Sequence, residues 1–284
     1  MPQYPGAESS GPSAMQPWSI ERSGDGPLVA TAIHQGHEVR DELRPFLALS
    51  DADRLREEDP FTGDWTAAAP TRVRVHRSRF EVDLNRPPDQ CVYQRPSDAW
   101  GLEVWRRPLP AELIDRSRRL HAQFYADMRR LLDDLLSRHR RLVVFDLHSY
   151  NHRRAGPRDE PADPRQNPVV NLGTGSVDPA RWGPVIQAFT AAVRAGRLDG
   201  RAIDVRHNVR FRGGYWSRWI HQTWPERVLA FAIEVKKVFM DEWSGRLDPA
   251  RHRAIGGALE KAAQAGGRGD WEPGTGKAPG QPGR

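Results

Sequence analysis

The sequence predicts an α/β fold in which a mostly parallel sheet carries helices on both faces. Short apolar segments typical of strands alternate along the chain with longer segments of helical periodicity. Two strand segments, residues 142–145 and 228–235, are almost continuously apolar, which is typical of strands that are covered on both faces. Unusual polar residues follow or interrupt the apolar strands, and the carboxyl ends of strands are where open α/β sheets bind ligands.

The first half of the chain supplies three strands and the longest helix. Residues 26–33 predict a buried strand that ends at His34, and residues 72–85 alternate like a strand that ends near Asn85. Residues 110–139 predict a helix that leads into the strand at 142–145. Its apolar residues recur at intervals of three and four: Leu113, Leu120, Phe124, Met128, Leu131, Leu132 and Leu135.

The second half continues the alternation. Residues 179–196 predict a helix with Pro179 in its first turn, where proline is well tolerated. A strand over residues 202–208 and a glycine-rich turn over 211–216 follow. Residues 228–237 then predict a central strand. Both ends of the chain, residues 1–17 and 265–284, are rich in Gly and Pro and are expected to be disordered tails around one domain, residues 18–264.

Composition narrows the class of protein. No apolar run approaches the roughly 20 residues of a membrane-spanning helix, so no membrane partner is expected. The single cysteine, Cys91, excludes an internal disulfide and favours a cytoplasmic location. The net charge is +6, but the arginines are scattered among acidic residues, so no nucleic-acid partner is expected. The excess charge fits solvated faces or a pocket for a small anion.

Three histidines could form a metal site. His34 and His37 stand three residues apart on a predicted turn, and His148 follows the apolar strand that begins at residue 142. The neutral imidazole is the commonest protein ligand of zinc, and catalytic zinc takes three protein ligands and leaves a position for water. By itself the first pair also fits a surface turn.

Two further stretches carry polar groups suited to amide chemistry. Asn85 and Arg86 emerge before a Pro-Pro pair that ends strand pairing, where a guanidinium could bind a carboxylate or polarise a carbonyl oxygen. An ion pair between Asp83 and Arg86 at the surface is the alternative. Glu234 interrupts an apolar strand and would suit a general base that faces a metal-bound water. Otherwise it would pair with a neighbouring lysine or arginine.

Taken together, these stretches resemble the zinc carboxypeptidase superfamily and, more closely, the N-formylglutamate amidohydrolase family. The likeness spans about residues 28 to 245. It is carried by the segments IHQGHE, REEDPFTGDW, SRFEVDLNRP, VFDLHSY, NLGTGS, FRGGYWSRW and FAIEVKKVFMDE.

The resemblance implies a three-layer α/β/α phosphorylase/hydrolase-like fold with a mostly parallel mixed sheet. It also implies one zinc ion per chain and hydrolysis of the amide bond of a small anionic N-acyl amino acid, as when N-formylglutamate gives formate and glutamate. By motif, the residue roles are these: His34 and His148 as zinc ligands, Glu234 as the general base, Arg86 with Asn85 as the binder of a carboxylate or of the nascent oxyanion, and Arg79 as a second carboxylate binder. Arg210 and Arg212, beside a glycine pair, are further candidates.

The third zinc ligand stays open. Carboxypeptidases carry Glu three residues after the first histidine, and this chain has His37 there. Either His37 is the ligand, which its spacing favours, or the ligand is acidic and comes from Glu58 or Asp59. This departure also leaves room for a catalytically degenerate protein that binds an anion or a metal, or for a zinc peptidase or amidase that acts on another amide.

Overall fold

The computed structural model describes residues 16–265, so nearly all of the two predicted tails, residues 1–17 and 265–284, lies outside the described residues. The strands are β1 (Trp18–Arg22), β2 (Leu28–Ala32), β3 (Thr71–Val75), β4 (Leu142–Tyr150), β5 (Val170–Gly173), β6 (Arg197–Leu198), β7 (Arg201–Ala202), β8 (Val205–His207) and β9 (Val228–Lys236). The α-helices are α1 (Asp51–Glu57), α2 (Ala111–Arg138), α3 (Pro179–Ala195), α4 (Tyr215–Thr223) and α5 (Pro249–Ala265).

Seven of the described strands form one mixed sheet in the order β1-β3-β2-β4-β9-β5-β8. The central strands β3, β2, β4 and β9 run parallel to one another, whereas β1 is antiparallel to β3 and β5 is antiparallel to β9. The predicted central position of β9 is confirmed, because β4 and β5 flank it. Within residues 16–265 no helix has the length and hydropathy needed to cross a membrane.

Each face of the sheet packs on its own pair of helices. Alternate residues of β4 divide between two hydrophobic clusters: Phe145 packs with side chains of α3 and α5, and Val144 packs with those of α2 and α4. Both side chains are fully buried. The predicted three-layer α/β/α architecture is therefore confirmed.

The strand predicted over residues 72–85 is only partly present. β3 ends at Val75. Beyond it the Ser78 carbonyl accepts hydrogen bonds from the backbone N–H groups of Glu81 and Val82, which closes a helical turn. In this turn Phe80 and Val82 enter different hydrophobic clusters. The alternating pattern was misleading because alternation records burial, and a compact turn between several elements can bury the same residues.

The parallel arrangement brings polar residues to one edge of the sheet. His34 lies two residues beyond β2. On β4 and β9, His148 and Glu234 are directly paired in register. Three segments far apart in the chain thus deliver their side chains to the same place.

Candidate active site

Two histidines and one aspartate form the centre of the site. One ligand atom from each of His34, Asp59 and His148 lies within 4.8 Å of the others, and all three residues are buried. No other group of three or more His, Cys, Asp or Glu residues in residues 16–265 has this spacing. The ring centroids of the two histidines are 4.9 Å apart.

The same side of each imidazole faces the aspartate. The Nδ1 atoms of His148 and His34 lie 2.9 Å and 3.6 Å from Oδ2 of Asp59. On the far side, His34 Nε2 lies 2.7 Å from Oδ1 of Asp83, and His148 Nε2 lies 3.0 Å from Oδ1 of Asp146. Metal-binding histidines characteristically donate their second ring N–H to a carboxylate in this way. The donor set and its surroundings therefore fit a divalent cation.

Asp83 is held in place by several donors. Its Oδ1 accepts a hydrogen bond from the backbone N–H of Asn85, and its Oδ2 accepts from Arg79 at 3.0 Å and from the Tyr93 hydroxyl. Although burial opposes its ionisation, the charges and hydrogen bonds of Arg79, His34 and Tyr93 hold the pKa of Asp83 well below its usual range. An ionised Asp83 keeps the proton of His34 on Nε2, and this frees Nδ1 to bind a metal.

His148 lies among carboxylates that raise its pKa. Burial favours the neutral imidazole, but the charges of Asp146 and Glu234 and the hydrogen bonds that His148 donates to Asp146 and Asp59 outweigh burial and hold the pKa of His148 well above its usual range. Asp59 is affected by the same hydrogen bonds. Burial opposes its ionisation, but the hydrogen bonds that it accepts from His148 and His34 lower its pKa nonetheless. The two histidines are thus surrounded by carboxylates. A cation bound between the rings and Asp59 could take the place of the proton that these carboxylates favour on His148.

Glu234 lies beside His148 on the neighbouring strand. Burial raises the pKa of Glu234 to about 8, and the neighbouring Asp59 and Asp146 add to the effect against the opposing charge of His148. A carboxyl group with a pKa near neutrality is suited to take up and release a proton during turnover.

The centre opens into a cavity of about 260 Å³. Most of the side chains that the sequence singled out line it: His34, Asp59, Arg79, Asn85, His148, Arg212 and Glu234. Trp100, Arg154 and Lys237 line it as well.

Asn85 reaches the cavity, but Arg86 does not line it. The amide nitrogen of Asn85 lies 3.5 Å from Nε2 of His148, and its oxygen accepts from the backbone N–H of Trp216. By contrast, the Arg86 guanidinium donates to the backbone carbonyl of Asp98 at 2.8 Å and lies over Tyr93. The turn that replaces the predicted strand sends the two side chains in different directions, so the structure brings Asn85 but not Arg86 to the cavity. Nε of Arg86 lies 3.7 Å from Oδ2 of Asp83, the ion pair that the sequence offered as the alternative.

His37 and Glu58 are not brought to the centre. They bind each other, with His37 Nδ1 2.6 Å from Glu58 Oε2. Glu58 also accepts from the Ser78 hydroxyl, and Arg54 lies 3.2 Å from Nε2 of His37. Of the residues that the sequence left open as a third ligand, the structure thus brings Asp59 rather than His37 or Glu58 to the two histidines. The backbone N–H of Asp59 donates to the His34 carbonyl at 2.9 Å and holds the two residues together.

The arginines in and near the cavity differ in whether their guanidinium groups already contact a carboxylate or an aromatic ring of the protein. Arg79 donates to Asp83 and lies over the Trp100 ring at 4.7 Å. Arg154 lies 3.5 Å from a carboxylate oxygen of Glu57. Arg212 is exposed and makes no side-chain hydrogen bond or ion pair within residues 16–265. Arg210 does not line the cavity and lies over Phe211.

Sequence reasoning missed the two carboxylates that orient the histidines, and it missed Lys237. A signal for the carboxylates existed: Asp146 lies two residues before His148 in an apolar strand, and Asp83 lies two residues before Asn85. Lys237 gave no such signal, because lysine after a strand is ordinarily a solvated residue.

One protein family matches the sequence, and solved structures resemble the fold. The sequence profile of the family described as N-formylglutamate amidohydrolase matches residues 26–240. An N-formylglutamate amidohydrolase from Ralstonia eutropha JMP134 is similar in structure, with a TM-score of 0.70 and 17% identity over 89% of this chain and 99% of that chain. A gene product from Agrobacterium tumefaciens is also similar in structure, with a TM-score of 0.61 and 17% identity over 88% of this chain and 94% of that chain. For a metallo-carboxypeptidase from Pseudomonas aeruginosa the TM-score is 0.38, with 16% identity over 90% of this chain and 61% of that chain. No curated protein matches the sequence.

Proposed function

Because this chain belongs to the N-formylglutamate amidohydrolase family, we propose that it hydrolyses the amide bond of a small anionic N-acyl amino acid with the help of one zinc ion per chain. The reference reaction is N-formyl-L-glutamate and water giving formate and glutamate. The observation that carries the proposal is the convergence of His34, Asp59 and His148 beside Glu234 in one cavity. The single cysteine supports a cytoplasmic location, and nucleic acid and membrane are not among the proposed partners.

The zinc ligands in this proposal are His34 Nδ1, His148 Nδ1 and a carboxylate oxygen of Asp59. Asp83 and Asp146 hold the second nitrogen of each ring and so fix which nitrogen is free. When bound, zinc supplies Lewis-acid activation of water and of the substrate carbonyl.

Glu234 acts as the proton carrier. Its carboxylate takes a proton from the water molecule that attacks the acyl carbon, and it then returns that proton to the nitrogen of the departing amine. Its position supports this role, because the register of β4 and β9 fixes Glu234 beside His148.

Two side chains are proposed to bind the substrate. Arg212 offers a guanidinium without a protein partner in the described residues, which suits a bidentate contact with a carboxylate. Asn85 can donate from its amide nitrogen to the oxygen that becomes negative during the attack. Arg79 lines the cavity, but its guanidinium is already bound to Asp83. Arg86 is left out because its guanidinium donates to the backbone carbonyl of Asp98 and lies near Asp83 instead of lining the cavity.

Metal analysis of three purified proteins tests the metal site. The wild type is expected to contain about one zinc ion per chain, the number that a three-ligand catalytic site binds. Asp59→Ala is expected to lose the metal, whereas His37→Ala is expected to retain it. If His37→Ala loses the metal and Asp59→Ala keeps it, the ligand assignment fails.

A substrate panel tests the reaction. N-formyl, N-acetyl and N-succinyl amino acids are incubated with the zinc-loaded enzyme, and the free amine is measured. Release of glutamate from N-formyl-L-glutamate supports the proposal, and a preference for another acyl group revises the substrate. Absence of both zinc and turnover would instead identify a catalytically degenerate binding protein of the same family.

A further inference from the structure

Lys237 is a buried cation at the wall of the cavity. It lies three residues after Glu234, just beyond the end of β9, and is 2% exposed. It lines the cavity that holds the histidines and Glu234. Lysine is rarely buried unless its charge is paired, so its contacts need an explanation.

The contacts of Lys237 are with neutral groups. Its Nζ donates to the backbone carbonyls of Arg56 and Glu58, at 2.5 and 2.7 Å. No carboxylate within the described part of the chain forms an ion pair with it at 4.0 Å or less. An ammonium group has three N–H donors, so one remains after the two carbonyls are satisfied.

The lack of a carboxylate within 4.0 Å distinguishes Lys237 from two of the other cationic residues that line the cavity. Arg79 is bound to Asp83 at 3.0 Å, and Arg154 faces Glu57 at 3.5 Å. Among the cationic residues that line the cavity, Lys237 and Arg212 are the two without such a carboxylate in residues 16–265. Burial lowers the pKa of Lys237 to about 8, although the charges of four carboxylates farther than 4.0 Å away oppose this shift. An anion that enters the cavity and accepts the remaining N–H would stabilise the ammonium further.

We propose that, of the two carboxylates of an N-formylglutamate-like substrate, Lys237 binds one and Arg212 binds the other, so that Lys237 determines the preference for a substrate that carries both. The inference rests on the proposed function and adds to it the residue that reads the second carboxylate. Lys237 is a buried point charge, and Arg212 is an exposed planar donor. A substrate that lacks the carboxylate bound by Lys237 would leave the third N–H of this buried ammonium without an acceptor, which disfavours that analogue.

Lys237 also has a structural task that the test must separate. Its bonds to the carbonyls of Arg56 and Glu58 tie down the segment that leads to Asp59. A variant could lose activity simply because that segment moves. A purely structural role would affect all substrates equally, whereas recognition of a carboxylate would affect only substrates that carry it.

The experiment compares Lys237→Met with Lys236→Met in zinc-loaded, full-length protein. Lys236 is a matched control, because it is the adjacent lysine, donates to the Asn167 carbonyl at 2.8 Å and does not line this cavity. The substrates are N-formyl-L-glutamate, N-formyl-L-glutamine and N-formyl-L-isoglutamine, which lacks the α-carboxylate. Zinc content and kcat/KM are measured for each protein.

In Lys237→Met, kcat/KM is expected to fall by about 10- to 100-fold for N-formyl-L-glutamate. The same fall is expected for one of the two monoamides, glutamine or isoglutamine, namely the one that retains the carboxylate bound by Lys237. The other monoamide is expected to be hydrolysed as by the wild type, and Lys236→Met is expected to keep the wild-type preference. Equal losses on all three substrates in Lys237→Met would overturn the proposal and leave Lys237 as a clamp on the Asp59 segment.

Binding of glutarate, measured by calorimetry, keeps the two proposals separable. If the wild type hydrolyses none of the substrates but binds glutarate at least about 10-fold more tightly than Lys237→Met, the role of Lys237 stands and the proposed function fails. If the wild type is active and neither glutarate binding nor substrate preference depends on Lys237, the role of Lys237 alone fails.

Discussion

His34 and His148 owe their suitability as ligands to what their second nitrogens contact. Asp83 and Asp146 accept from Nε2 of the two rings and leave both Nδ1 atoms directed at Asp59. A histidine without such a carboxylate could present either nitrogen, or rotate away. In the proposed metal site these carboxylates would therefore contribute to metal affinity without being ligands themselves.

Replacing Glu234 separates metal binding from turnover. Glu234→Gln keeps the shape of the side chain but removes its ability to accept a proton, so zinc content is expected to be unchanged while kcat falls by about 10²- to 10⁴-fold. Metal analysis and the rate of amine release from N-formyl-L-glutamate check both parts. Wild-type turnover in this variant would remove Glu234 from the mechanism.

Replacing Asp83 tests the orientation of His34. In Asp83→Asn the acceptor for Nε2–H of His34 is weakened, so zinc affinity is expected to fall by about 10- to 100-fold. Competition with a chromogenic chelator measures the affinity. Glu242→Gln is the control, because Glu242 is also buried but accepts from the backbone N–H groups of His152 and Arg153. An unchanged affinity in Asp83→Asn would show that Asp83 does not orient the ligand.

Between elements, glycine permits two close approaches that shape the site. A side chain at Gly36 would place its Cβ 2.3 Å from the backbone of His76, so glycine lets the turn after His34 pack on the chain beyond β3. A Cβ at Gly214 would lie 2.0 Å from the amide of Asn85, so the start of α4 can reach the side chain that lines the cavity. These glycines belong to the segments that carry the family resemblance.

Gly36→Ala is expected to destabilise the protein by about 1–3 kcal/mol, because backbone atoms of His76 cannot rotate away from the added methyl group. Gly183→Ala is the control: Gly183 lies inside α3 with no atom within 4 Å of the added Cβ. Alanine there is expected to raise the free energy of unfolding by about 0.5–1 kcal/mol. Urea denaturation measures both. A neutral Gly36→Ala would show that the turn and the β3 segment can separate without cost.

For the protein as a whole, metal binding should be coupled to pH. Without a cation, the pKa of His148 is held well above its usual range and that of Glu234 is raised to about 8, so the metal-free site favours the protonated form of both groups. A bound cation favours the deprotonated forms, so zinc binding is expected to release protons and to weaken as the pH falls. Calorimetry in two buffers with different ionisation enthalpies measures the release. The number of protons released should be smaller in Glu234→Gln than in the wild type. An equal number would show that the protons come from groups other than Glu234.

Glu234 should also make the stability of the metal-free protein depend on pH. Its pKa rises from 4.5 to about 8 on folding, so the folded protein binds this proton more tightly than the unfolded chain does. The resulting stabilisation is complete below pH 4.5 and is lost as the pH rises towards 8. Chemical denaturation at several pH values, with chelator present, should show this loss in the wild type and less of it in Glu234→Gln. Parallel profiles would contradict the assignment.

Local pattern was sufficient for much of the fold. α2 spans Ala111–Arg138 and α3 spans Pro179–Ala195, as their periodicity and the proline at 179 predict. β4 and β9 are buried strands at the centre of the sheet, as their apolar runs predict. These predictions held because an element with one or two buried faces must repeat apolar residues with its own period. β1 and α5 were not predicted, since neither segment stood out from the polar sequence around it.

Strand ends and residue types in the sequence were enough to identify His34, His148 and Glu234 as neighbours, because parallel strands bring their carboxyl ends to one edge. Only the tertiary structure decided that Asp59 rather than His37 joins the histidines, that Arg86 turns away and that Lys237 faces the cavity. These side chains lie on loops and turns or just beyond a strand end. Their directions are set by contacts with distant segments, such as the bond from Asp59 N–H to the His34 carbonyl. Spacing along the chain does not encode such contacts.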